Sequence, residues 1–232
     1  MNKLLNTLFG LSVACATSLA LAQSPAPAAG AAQATASPKS LQAKTAMCYG
    51  CHGIVGYRTS FPEVYSVPML AGQNAKYIAA ALHAYQTGDR KHPTMRGIAA
   101  SLTDQDIQDI AQYYEKLGDA KPLGDKPDRE PDAQVAALIN KAACFSCHGA
   151  NLSKPIDPSY PKISGQHADY LFVALKAYKT QNNPNFGRNN GVMGAIAKQF
   201  SNSELKAIAS YVGSLDSELQ TKPESKFHHR VD

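Results

Sequence analysis

The clearest periodic signal along the chain is an apolar stripe that occurs twice with identical spacing. Ile107, Ile110, Ala111, Tyr114 and Leu117 make the first, and Leu205, Ile208, Ala209, Val212 and Leu215 the second. A period near 3.6 residues places each set on one helix face. Both stripes follow an S/T-x-x-D/E start, Thr103 with Asp106 and Ser201 with Glu204, which predicts a capped helix N-terminus. Weaker stripes predict a helix that Asn74 caps and that runs through Tyr85 to close near Gly88. An equivalent helix opens at His167 or Asp169 and runs through Tyr178. Asp132 caps a further predicted helix that carries Val135, Leu138 and Ile139 into Cys144. No segment shows a persuasive period of two, so the expected class is all-α.

Residues 1–22 show a different pattern. Lys3 precedes an apolar run from Leu4 to Leu19, and Ala20-Leu21-Ala22 supplies a small-x-small cleavage signal, as in an export leader. Asn6, Thr7 and Ser12 interrupt the run, and no second long apolar stretch follows, which argues against a retained anchor. Cys15 hints at a lipoprotein signal, but the better cleavage site lies further on. The mature chain is therefore expected in the periplasm. Residues 23–39 read as a flexible Ala/Pro-rich tether, 119–131 as a Pro- and charge-rich linker, and 218–232 as a polar tail. His228 and His229 sit in that tail and are read as solvated rather than as ligands.

The two blocks between these segments, 40–118 and 132–217, repeat one another. Pro68-Met69-Leu70-Ala71-Gly72-Gln73 answers to Pro161-Lys162-Ile163-Ser164-Gly165-Gln166. Tyr77, Leu82 and Tyr85 answer to Tyr170, Leu175 and Tyr178; Arg90, Met95 and Ile98 answer to Arg188, Met193 and Ile196. The roughly 210 residues left after the leader suit two small domains better than one. Removing Lys3 from the 23 basic residues leaves 22 against 18 acidic ones, a modest +4. That balance argues for neither nucleic acid nor a polybasic membrane patch.

Chemistry enters with Cys48-Tyr49-Gly50-Cys51-His52 and Cys144-Phe145-Ser146-Cys147-His148. Each reads C-x-x-C-H, the attachment pattern of a c-type haem. Two thiols at this spacing reach the two vinyl groups of one porphyrin edge, and the next residue presents an imidazole to the iron. The four cysteines remaining after the leader all lie in these motifs, so none is left for a separate structural disulfide. A redox disulfide inside each motif lacks a surrounding βαβ pattern, and the two pairs lie too far apart for ordinary zinc-ligand spacing. Two covalently bound haems c are therefore the expected cofactors, with His52 and His148 as iron ligands. Each block is too small to rely on side chains alone for its core, and a buried haem supplies apolar mass.

The sixth ligand is selected by the repeat. Met69 aligns with Lys162, His83 with Lys176, and His92 with Asn190, whereas Met95 has Met193 as a counterpart of its own kind. A methionine can simply fill a core, but the matched pair favours ligation by Met95 and Met193. A neutral, soft thioether raises the reduction potential relative to a second imidazole. The carbonyls of Pro68 and Pro161 are candidate acceptors for the second N–H of His52 and His148, or the prolines only stiffen a loop. Arg90 and Arg188 are candidate partners of haem propionates, or solvated loop charges. Tyr77, Tyr85, Tyr170 and Tyr178 are expected in the core with wet hydroxyl tips.

With these residues in view, the chain resembles the dihaem cytochrome c4 family from about residue 40 to 217. The resemblance rests on the two C-x-x-C-H motifs, the P-x-[LI]-x-G-Q turns, and a Met followed by a capped helix in each half. It implies two cytochrome c domains related by a pseudo-twofold axis with the haems near their interface. It implies the axial pairs His52/Met95 and His148/Met193. It also implies periplasmic electron transfer, often towards a terminal oxidase. Expected donors are a quinol-oxidising complex or a dehydrogenase and expected acceptors a terminal oxidase or another reductase, through which the protein could associate with a membrane. Two other readings compete: a cytochrome subunit of a dehydrogenase complex, such as a flavocytochrome sulfide dehydrogenase, and a dihaem peroxidase. The peroxidase requires an open iron, which paired methionines argue against. No other catalytic constellation accompanies the motifs.

Overall fold

The computed structural model describes residues 40–224. The expected leader (1–22), the tether (23–39) and residues 225–232, with His228 and His229, lie outside them. The first half contains α1 (Leu41–His52), α2 (Ala75–Thr87), α3 (Pro93–Ala100) and α4 (Asp104–Leu117). The second contains α5 (Ala133–Ala142), α6 (Cys144–His148), α7 (Ala168–Lys179), α8 (Gly191–Ala197) and α9 (Asn202–Ser214). The predicted stripes are the buried faces. Ile107, Ile110 and Tyr114 of α4 meet Ile78, Leu82 and Tyr85 of α2. Leu205, Ile208 and Val212 of α9 meet Leu171 of α7 and Val135, Leu138 and Ile139 of α5. Both predicted capping boxes form: Thr103 and Asp106 bond reciprocally at α4, as do Ser201 and Glu204 at α9.

Among the described residues, four strands of two residues each interrupt the helical pattern. β1 (Arg58–Thr59) pairs antiparallel with β2 (Tyr65–Ser66), and β3 (Arg90–Lys91) pairs antiparallel with β4 (Gly187–Arg188). Two residues are too few to establish alternation, so periodicity gave no sign of them. The second pairing joins the two halves and sets Arg90 directly opposite Arg188.

Three local expectations need correction. Asp132 does cap α5, its Oδ1 accepting from Val135 N–H at 2.8 Å. That helix, however, stops at Ala142 instead of running into Cys144. Ala143 adopts a left-handed conformation (φ 51°) and its N–H returns to the carbonyls of Asn140 and Ile139, a C-terminal cap. In the first half α1 continues unbroken through Cys48–His52. Asn74 stands at the N-cap of α2 without a side-chain capping bond, because its amide reaches across to the Tyr160 carbonyl (3.1 Å). Glu115 accepts from the Ala75 N–H instead (2.8 Å). Lastly, residues 218–224 are not frayed. Leu219 is 2% exposed, and Gln220 exchanges backbone hydrogen bonds with Ala71 of the first half. The segment 119–131 is also tied down: the Leu123 N–H donates to Glu218, and the Tyr211 hydroxyl to the Arg129 carbonyl, both at 2.9 Å.

Helix α1 is held to α4 by Lys44, whose ammonium contacts the carboxylates of Asp106 and Asp109. The Lys44 hydrogen bond, with help from Thr103, holds the Asp106 carboxyl down at about 2. A carboxylate with a depressed folded value contributes stability that is present above its unfolded value and is lost as pH falls through the folded one. Asp106→Asn is therefore expected to lower the thermal midpoint at pH 5. The gap between wild type and variant should close as pH drops from about 4 towards 2. Helical circular dichroism melts across that range check this, and a gap independent of pH would refute it.

Candidate functional site

Each C-x-x-C-H segment ends a helix and is followed by a loop that returns a proline carbonyl to the histidine. His52 Nδ1 lies 2.9 Å from the Pro68 carbonyl oxygen, and His148 Nδ1 lies 2.9 Å from that of Pro161. A carbonyl can only accept, so in each neutral ring the proton sits on Nδ1 and the lone pair is left on Nε2. Burial pushes both imidazoles below the ordinary histidine range, more than the proline carbonyls raise them, so both are neutral at pH 7. Neutral, oriented imidazole is the form that binds a metal.

The four motif thiols are unpaired, and Cys48 and Cys144 pack against the apolar clusters of their own halves. Burial pushes the Cys48 thiol up to about 11, and that of Cys144 likewise. A thioether removes that cost because it carries no charge. In both halves a methionine occupies the same place on a short helix. Met95 is the third residue of α3, where the N-cap His92 accepts from the Met95 N–H (3.4 Å). Met193 is the third residue of α8, where Asn190 accepts from the Met193 N–H (2.9 Å). The alignment of His92 with Asn190 thus has a structural reason: both are helix caps. Met69 instead contributes its backbone to the junction of the two halves.

That junction gathers Arg90, Arg188 and the repeated tyrosines. Arg90 donates to the Tyr170 hydroxyl (2.8 Å) and to that of Tyr77 (3.4 Å), and Arg188 donates to Tyr170 (3.2 Å). The guanidiniums also lie over the rings of Tyr85 and Tyr178, at 4.7 and 5.4 Å from their centroids. The tips of Tyr77 and Tyr170 therefore meet arginine rather than water. Burial pushes the Tyr170 phenol up, but the two arginines outweigh it and bring the group down to about 7. Among the described residues no carboxylate pairs with Arg90 or Arg188, and the buried Arg90 Nε has no partner. Two like charges directly opposite across a ladder call for an anion. Haem propionates fit that need, as the thiols, neutral imidazoles and apolar surroundings fit the macrocycle.

The sequence reading passed over Gln73 and Gln166. Both are buried, and each bonds the backbone of the opposite half. Their only sequence signal is their repetition at the end of each P-x-[LI]-x-G-Q turn.

Two helical domains, each carrying a haem-attachment motif with a proline-oriented histidine, define a tandem c-type cytochrome. The family model for cytochrome c matches residues 39–118 and 133–216. The chain is 32% identical to cytochrome c4 of Pseudomonas aeruginosa over 181 residues, 75% of this chain and 86% of that protein. It is 28% identical to the thiosulfate dehydrogenase electron acceptor of Stutzerimonas stutzeri, covering 84% of this chain and 88% of that one. The solved cytochrome c4 structure of Acidithiobacillus ferrooxidans superposes with a TM-score of 0.54 at 28% identity, covering 74% of this chain and 99% of that chain. The chain belongs to the dihaem cytochrome c4 family of electron carriers, and its two motifs bind two covalent haems c.

Proposed function

We propose that this cytochrome is exported to the periplasm and passes single electrons between respiratory partners through two six-coordinate haems. His52 and Met95 ligate the first iron, His148 and Met193 the second, and Arg90 and Arg188 hold propionates. The observation that carries this reading is the doubling of one arrangement: an imidazole anchored at 2.9 Å on a proline carbonyl and a methionine on an N-capped helix, in both domains. An iron with both axial positions filled by protein cannot bind substrate without losing a ligand, so the activity lies in electron transfer rather than in chemistry at the metal. Bound haem supplies the redox change; the chain supplies ligands, burial and counter-charge. Carbon monoxide added to the fully reduced holoprotein is expected to bind neither haem promptly. Rapid stoichiometric binding at one iron would move the dihaem peroxidase reading forward.

The likeness to thiosulfate dehydrogenase electron acceptors favours a second reading of the partner. In it the chain takes electrons directly from a dehydrogenase, as a dedicated acceptor or a subunit, and hands them towards a terminal oxidase. Copurification of the full chain with a dehydrogenase in stoichiometric amount separates this from a freely shared carrier.

A further inference from the structure

Two peptide units at the domain junction each face a histidine with one end and the other domain with the opposite end. The unit joining Pro68 to Met69 is planar and rigid, so its carbonyl and N–H point in opposite directions. Its oxygen lies 2.9 Å from His52 Nδ1, and its N–H donates to Gln166 Oε1 of the second domain at 3.1 Å. The unit joining Pro161 to Lys162 mirrors it. Its oxygen lies 2.9 Å from His148 Nδ1, and its N–H donates to Gln73 Oε1 of the first domain at 2.9 Å. Each glutamine Nε2 returns a bond to the carbonyl of the same partner residue, Gln166 to Met69 at 3.0 Å and Gln73 to Lys162 at 2.9 Å. Each Oε1 also accepts the N–H of the residue that follows its own glutamine, Asn74 or His167, both at 3.0 Å. Two N–H donors on one atom and a carbonyl on the other fix which end of each amide is oxygen.

We propose that each haem is tuned by a glutamine of the opposite domain, Gln166 acting on the first iron and Gln73 on the second. The proposal rests on His52 and His148 being the iron ligands. When a peptide N–H donates, the unit polarises and its oxygen becomes a stronger acceptor. A stronger acceptor draws more on the imidazole N–H and raises the basicity of the ring at its metal-binding nitrogen. A more basic ligand favours ferric over ferrous iron. The glutamine ends of the relay lie out of water, Gln73 3% and Gln166 4% exposed, so the bonds they make are weakly screened. Gln73 and Gln166 are positioning residues: neither touches the haem ligand, and each acts through one peptide bond of its neighbour. Domain pairing itself thereby contributes to both potentials.

The test uses the full-length holoprotein with Gln166→Met and Gln73→Met, each of which keeps bulk but removes the acceptor. Redox titration followed by NMR gives each haem its own potential. Gln166→Met is expected to shift the reduced-to-oxidised ratio of the first haem about threefold towards reduced. That is about 30 mV at 59 mV per decade for one electron. The second haem should keep its potential, and Gln73→Met should give the mirror result. In the ferrous protein the His52 Nδ1–H resonance should weaken in its hydrogen-bond shift in Gln166→Met alone. Shifts confined to the haem of the mutated domain would overturn the proposal. If a variant loosens the domain pairing and both potentials move, the Nδ1–H signals still decide, since an unchanged His52 signal in Gln166→Met rejects the relay. The ferric spectrum separates this failure from that of the ligand assignment. Without a paramagnetic shift on His52 the ligand is wrong; with one that ignores Gln166, only the relay is.

Discussion

In a Met193→His variant the potential of the second haem is expected to fall by on the order of 100 mV or more, while the first moves far less. Axial ligands span about 0.8 V across haem proteins, and exchanging a thioether for an imidazole is among the larger single steps within that range. The thioether favours ferrous iron because it is a soft, neutral, weak donor; imidazole is the better partner for ferric iron. Met193 is the third residue of a helix whose N-cap, Asn190, is untouched by the substitution. The variant therefore tests the ligand with little effect on what positions it. Met95→His is the equivalent for the first haem. Spectroelectrochemistry of the two variants checks both, and an unchanged local potential would remove that methionine from the iron.

The largest expected loss of stability comes from Leu205→Ala. Leu205 is 1% exposed and lies in the cluster formed by α5, α7 and α9. Truncating a buried leucine removes the transfer energy of its methyl groups and leaves a cavity, at a cost of about 3 kcal/mol. Ile107→Ala in the first domain, where Ile107 is fully buried, should cost a similar amount. Guanidinium unfolding of the holoprotein, followed by helical circular dichroism, reads the change directly. Because the haem is covalently attached, the loss cannot be mistaken for dissociation of the cofactor. A change below about 1 kcal/mol would mean that the surrounding helices collapse into the gap.

The readability of this molecule from its sequence divides along a physical line. Helices α4 and α9 were legible because an amphipathic stripe and a capping box are both local patterns, complete within fifteen residues or so. The haem-attachment motifs were legible because a covalent reaction fixes the residues and their spacing. The repeated proline turn was legible as another local pattern, and His52 and His148 each lie 2.9 Å from the carbonyl oxygen of its proline, Pro68 or Pro161. What stayed hidden is what depends on distant partners. Arg90 and Arg188 read as candidate propionate partners or solvated loop charges, each in its own half, since nothing local shows that they face each other across a two-residue ladder. Gln73 and Gln166 bond backbone atoms of the opposite domain, and a backbone partner leaves no residue type behind to recognise. The break at Ala143 was missed for a related reason, because an alanine offers no hint of a left-handed turn.

The return of residues 218–224 to the first domain has a mechanical consequence. Gln220 pairs with Ala71, and Lys222 bonds Asp119 at 2.6 Å, so the second domain is fastened to the first at its exit as well as at its entry. A body held at one point can swing, whereas one held at two points has less of that freedom. A second fastening of this kind narrows the range over which the two haem-attachment motifs can shift against each other.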